Sequence, residues 1–157
     1  MNVEIDRPRR IIPALDPLYD LLAPIAVPMI RVFAGLMLMP HGAQKLFGWF
    51  GGGGLDGTAQ YFGGTVGLQP ALFFAVLVGS TEFFGGLCLA LGFLTRIAAA
   101  GITILMIVAI ATVHIGNGFF ITQGGYEYAL LWGIVALAFL FQGGGARSLD
   151  RRIGWEF

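Results

Sequence analysis

Cysteine is nearly absent: Cys88 is the one example in the chain, and it stands inside an apolar run. That excludes an internal disulfide, a Cys-x-x-Cys redox pair and a thiolate metal cluster built by this chain alone, and Cys88 reads as a small buried hydrophobe. Charge is scarce too, with 11% Asp, Glu, Lys and Arg against 57% hydrophobic residues and a formal net charge of zero. No basic excess points to nucleic acid, so the few charges inform by position rather than by sum. A short hydrophobic region closed by small residues is missing near the start, because the first apolar run begins only after Pro24. No cleavable signal is expected, and the first helix is expected to stay in the membrane.

What is abundant is apolar surface. A mean hydropathy of +0.80 over 157 residues is more than one aqueous core of this size can hide, so the solvent must be lipid. The expected fold is all-α, an integral membrane bundle of four transmembrane helices. Apolar segments at about 25–45, 70–94, 97–113 and 126–141 approach the roughly 20 residues that cross a hydrocarbon core, the last being short unless its flanking turns are embedded. Residues 1–23 are polar, interrupted by Pro8, Pro13 and Pro17, and carry Arg7, Arg9 and Arg10; they read as a cytoplasmic or interfacial arm before a transmembrane domain at 24–146. Residues 147–157 form a cytoplasmic tail. Thr95 and Arg96 are expected to make a tight turn between antiparallel neighbours. The Gly-rich stretch 51–69 reads as an ordered loop with a short helix from Asp56 through Tyr61 and Phe62, and it lacks the Gly-Lys-Ser/Thr of a phosphate loop. Both termini and the 95–96 turn hold every arginine except Arg31, whereas the opposite loops offer only Lys45. The positive-inside rule then places both termini in the cytoplasm.

Ionisable groups within the spans each cost roughly 2.5–3.5 kcal/mol on insertion scales, so each needs a partner, a cavity or a route to the interface. They are Arg31, His41, Lys45, Glu82, His114 and Glu127. Arg31, Gly35, Leu38, Gly42 and Lys45 share one helical stripe, and Gly79, Glu82, Gly85, Gly86 and Leu89 share another. Two faces of small residues around charge are expected to meet, with Arg31 and Glu82 as a buried ion pair. On the other side of the membrane His41, Gln44 and Lys45 end the first helix, His114 and Asn117 end the third, and Glu127 begins the fourth. Convergence there would make a polar pocket at the membrane boundary, or a set of loop ends satisfied in the wet interface. No metal is assigned, because the residues form no tight ligand motif and no Glu-x-x-His pair is present. Histidine moves protons near neutral pH and, like lysine, donates to a carbonyl oxygen, so a quinone suits the pocket, with its ring among Phe47, Trp49, Phe119 and Phe120.

The run RVFAGLMLMPHGAQKLFG from Arg31 to Gly48 is followed by Glu82-Phe83-Phe84-Gly85-Gly86, Leu91-Gly92 and Leu94-Thr95-Arg96. Then come Thr112-Val113-His114, Gly124-Gly125-Tyr126-Glu127-Tyr128 and Ser148-Leu149-Asp150. This ordered set, over roughly residues 28–150, resembles the DoxX family of small four-helix membrane proteins. The resemblance implies a multi-pass protein of the bacterial or archaeal cytoplasmic (inner) membrane, associated with redox chemistry, since the family takes its name from a subunit of a quinone-linked thiosulfate-oxidising enzyme. It also implies roles for Arg31, His41, Lys45, Glu82, Arg96, His114 and Glu127, which match the family's recurrent polar positions. Three readings are open. One is a quinone-interacting or accessory oxidoreductase subunit with no covalent cofactor and an electron-donating partner. Another is a noncatalytic assembly subunit of a larger membrane complex, docked through its apolar faces and arm. The last is a small-solute transporter, for which no inverted repeat or broken helix pair is visible.

Overall fold

The structure, a computed structural model, describes residues 10–156; Arg7, Pro8 and Arg9 of the expected arm lie outside the described residues. Every regular element among the described residues is helical. Three helices, Pro13–Phe47, Ala71–Leu91 and Thr95–Asn117, are long and apolar enough to cross a membrane, and Glu127–Gln142 is a shorter apolar helix.

Helix α1 (Asp16–Phe47) starts earlier than the expected span, so most of the second half of the arm is helix. Pro17 does not prevent this, because a proline in the first turn lacks only an N–H that has no intrahelical acceptor. Arg10 holds the start in place, reaching Asp16 at 3.3 Å and Asp20 at 2.5 Å. Pro24, Pro28 and Pro40 lie inside the helix, as membrane helices tolerate where neighbours supply compensation. At 1.5 Å per residue α1 is about 48 Å long, well beyond a hydrocarbon core of about 30 Å.

Helix α2 (Gly54–Tyr61) continues into a π-helical turn at Phe62–Val66. Helix α3 (Ala71–Leu91) contains a π turn at Thr81–Gly85, and α4 (Thr95–Asn117) contains another at Ile110–His114. Helices α5 (Glu127–Gln142) and α6 (Leu149–Ile153) complete the chain.

The turn between α3 and α4 is Gly92-Phe93-Leu94, and Thr95 and Arg96 already belong to α4, which corrects the expected position. Gly92 and Leu94 both take left-handed backbone, at φ +68° and +48°. The cap that makes this possible comes from the tail. Asp150, 3% exposed, accepts hydrogen bonds from Leu94 N at 2.7 Å, Thr95 N at 3.0 Å and Thr95 Oγ1 at 2.6 Å. A helix start otherwise leaves such N–H groups unmet.

The two small-residue faces do meet. A Cβ at Gly42 would lie 2.7 Å from Gly79 O, and one at Gly86 would lie 2.8 Å from Gly35 O, so α1 and α3 pack backbone to backbone in antiparallel register. Gly85 departs from the expected face and lies against Ile102 of α4, where a Cβ would find 3.7 Å of room. Helix α5 packs along α4, and the buried core joins Ala34 and Leu38 of α1 to Leu89, Ile102, Ala136 and Phe139.

Candidate functional site

A cavity of about 340 Å³ lies where α1, α2, α3, α4 and α5 approach one another. Much of its wall is apolar, with Leu38, Phe62, Val66, Leu105, Met106 and Ala129 among the lining residues. The polar groups at its surface are His41, Lys45, Glu82, Thr112 and His114, joined by Tyr61, Tyr128 and Trp132. Its volume falls at the low end of the roughly 300–1,000 Å³ typical of small-molecule sites.

All three π turns among the described residues feed this wall: Phe62 and Val66 come from the first, Glu82 from the second, and Thr112, Val113 and His114 from the third. A π turn inserts one extra residue and rotates the rest of the helix by roughly 100° about its axis, which re-aims side chains at the expense of regular hydrogen bonding. Such distortions concentrate at functional sites.

Glu82 is paired with Lys45, not with Arg31 as the two stripes suggested. Lys45 Nζ donates to Glu82 Oε2 at 2.7 Å and lies 3.5 Å from His41 O. Register explains the exchange. Setting Gly35 against Gly86 and Gly42 against Gly79 puts position 39 opposite Glu82, so Lys45 is six residues away along the axis, about 9 Å, and Arg31 eight, about 12 Å. Arg31, 2% exposed, turns the other way. Its guanidinium donates to the carbonyl oxygens of Gly144 and Arg147, beside the α4 cap made by Asp150. The arginine therefore ties α1 to the tail at the bundle end opposite the cavity.

The two histidines reach the cavity by different supports. His114 Nδ1 lies 2.7 Å from Gly124 O, and since a carbonyl only accepts, Nδ1 carries the proton. His41 makes no side-chain hydrogen bond among the described residues; its ring lies 6.1 Å from that of Tyr128, which in turn lies 5.8 Å from Trp132. These three rings connect α1 to α5 across the cavity.

Three further expected site residues do not line it. Gln44 donates to Phe50 O at 3.3 Å, Asn117 donates to Val113 O and Gly124 O at 3.3 Å each, and Glu127 Oε1 accepts from Ile121 N at 2.6 Å. They satisfy loop ends, and His41, His114 and Glu127 do not gather as a ligand set; no group of three or more potential metal ligands occurs among the described residues. The aromatic cage is also corrected: Phe47, Trp49, Phe119 and Phe120 are exposed outside the cavity, and Tyr61, Phe62, Tyr128 and Trp132 take that place. Tyr128 and Trp132 recur at i and i+4 on α5, a signal in the sequence that an aromatic count at the helix ends overlooks.

The family model described as DoxX matches residues 26–115. Over 132 residues the chain is 32% identical to an uncharacterised protein of Haemophilus influenzae, covering 82% of this chain and 91% of that one. It is 31% identical over 110 residues to a Bacillus subtilis protein named "Putative oxidoreductase CatD", covering 70% of this chain and 75% of the other. An uncharacterised membrane protein of Mycobacterium tuberculosis is 31% identical over 144 residues, covering 83% and 82% of the two chains. No solved structure matches. With the family model spanning more than half of the sequence and a relative aligned over most of its length, the chain belongs to the DoxX family.

Proposed function

We propose that this chain is a quinone-binding subunit of a membrane oxidoreductase in the cytoplasmic (inner) membrane of a bacterium or archaeon, crossing it four times with both termini inside. The observation that carries the reading is an apolar cavity bearing two imidazoles, an ammonium and a row of aromatic rings. A quinone head is a flat apolar ring with oxygens at its edge. Aromatic walls suit the ring, the polar side chains of His41, Lys45, Glu82 and His114 suit the oxygens at its edge, and a prenyl tail is at home in the surrounding lipid. Imidazole also exchanges protons near neutral pH, as quinone chemistry requires. The chain's single cysteine provides no thiolate metal centre, so electrons would pass to or from a partner subunit. The name of the Bacillus subtilis relative points in the same direction.

Helix α5, at about 24 Å, is short of the hydrocarbon thickness and crosses as the fourth span with its flanking turns embedded. Helix α1 overshoots it, and its first turns expose Leu18, Leu21 and Leu22. That exposure favours a second, compatible role in which this extension docks a membrane partner, so co-purification from mild detergent should retain a larger complex.

The decisive measurement is calorimetric titration of the protein in lipid nanodiscs with decylubiquinone and with menadione. Saturable binding of at least one is expected, weakened about tenfold or more in His41→Ala and His114→Ala. No saturable binding, or binding unchanged in both variants, overturns the proposal.

A further inference from the structure

We infer that the cavity is built for the reduced form of its ligand, a hydroquinone whose O–H groups donate, in preference to a quinone whose oxygens only accept. The inference rests on the quinone reading above and adds to it the hydrogen-bonding sense of the site.

The polar atoms of fixed role decide this. Glu82 is 7% exposed and lines the cavity. Its Oε2 is occupied by Lys45 Nζ at 2.7 Å, while no protein group among the described residues hydrogen-bonds Oε1. A carboxylate in a salt bridge offers lone pairs only, so Oε1 is an unmet acceptor. His114 provides the second. Its Nδ1–H is committed to Gly124 O, so Nε2 is the ring nitrogen left for a ligand, an acceptor whenever it carries no second proton, on a residue that lines the cavity.

The donors of fixed role are, by contrast, mostly used or shut away, two of the three Lys45 N–H groups having acceptors. Lys45 is engaged by Glu82 and approaches His41 O. The Trp132 indole Nε1 is buried beyond solvent reach with no partner. His41, Tyr61 and Tyr128 can serve in either sense and do not discriminate. A hydroquinone hydroxyl placed at Glu82 Oε1 forms a charge-assisted hydrogen bond, whereas a quinone oxygen there sets lone pair against lone pair in a medium that screens poorly. No electron transfer is part of the inference; it concerns binding alone.

The test compares decylubiquinone with its chemically reduced quinol, titrated anaerobically into the full-length protein in nanodiscs. The quinol is expected to bind about tenfold or more tightly. Glu82→Gln keeps the side-chain shape, removes the charge and adds an N–H donor; it should weaken the quinol without weakening the quinone, abolishing the preference. His114→Phe, tested in parallel, should narrow the preference as well, and the wild-type ratio stands as a test even if a variant does not fold. Equal or tighter binding of the quinone overturns the inference while the quinone site survives. Uniform loss of both forms in Glu82→Gln, the mark of a structural role, also overturns it. Failure of both forms to bind the wild-type protein removes the site itself.

Discussion

Lys45 and Glu82 meet at 2.7 Å with side chains only 26% and 9% exposed, in surroundings that neither charge could enter alone at small cost. Removing one partner leaves the other to be neutralised or rehydrated, and the two substitutions should therefore not add. A double-mutant cycle with Lys45→Met and Glu82→Gln, followed by thermal unfolding in detergent, should give a coupling of about 0.5–3 kcal/mol. The cycle pairing Arg31→Met with Glu82→Gln should close to within about 0.5 kcal/mol, because those residues share no partner. The reverse ranking would reject the pairing described here. The sequence identifies all three charges as needing partners, yet it cannot choose among them. Both cations lie on one stripe of α1, so only the axial register of α1 against α3 selects Lys45. Arg31 is answered by main-chain oxygens of Gly144 and Arg147, and carbonyls have no residue-type signature.

At the scale of the helices, the α1–α3 contact depends on glycines whose missing Cβ atoms let two backbones touch. A Cβ on Gly42 would overlap both Gly79 O and Phe83 Cβ at 2.7 Å, and the obstacle at Gly79 is rigid backbone. Gly42→Leu should separate the helix pair and lower the thermal midpoint sharply, since overpacking costs about 1–3 kcal/mol even where neighbours can move. Gly57→Ala in α2, where nothing lies within 4 Å, should be neutral or slightly stabilising. Equal midpoints for the two variants would contradict the close contact. This interface was legible in advance because small residues at helical spacing form a pattern. The π turns were not. Such a turn differs from α-helix by one inserted residue and carries no composition of its own, so the re-aiming of Glu82 into the cavity could not be read from spacing counted at 3.6 residues per turn, whereas His114 is expected at the pocket from its place at a helix end. The cap of α4 was hidden for a related reason, since Asp150 stands 55 positions from Thr95 in sequence.

For the molecule as a whole, the proposed sidedness follows from where the charges sit once the chain is folded. Arg96 donates to Leu140 O and Phe141 O, Arg31 to Gly144 O and Arg147 O, and Asp150 caps α4, so the 92–94 turn and the tail share one end of the bundle. That end gathers Arg96, Arg147, Arg151 and Arg152, while the opposite end offers Lys45, whose charge is already balanced by Glu82. Basic residues in short segments beside spans are retained in the cytoplasm during insertion, so the proposed orientation has the arginine end inside and the Ile115–Tyr126 loop outside. Two single-cysteine variants in a Cys88→Ala background separate the ends: Phe120→Cys, on an exposed loop position, and Arg152→Cys, on the exposed face of α6. In spheroplasts a membrane-impermeant maleimide should label Phe120→Cys directly and Arg152→Cys only after permeabilisation. Labelling of Arg152→Cys in intact spheroplasts, with Phe120→Cys protected, would invert the bundle and turn the cavity towards the cytoplasm.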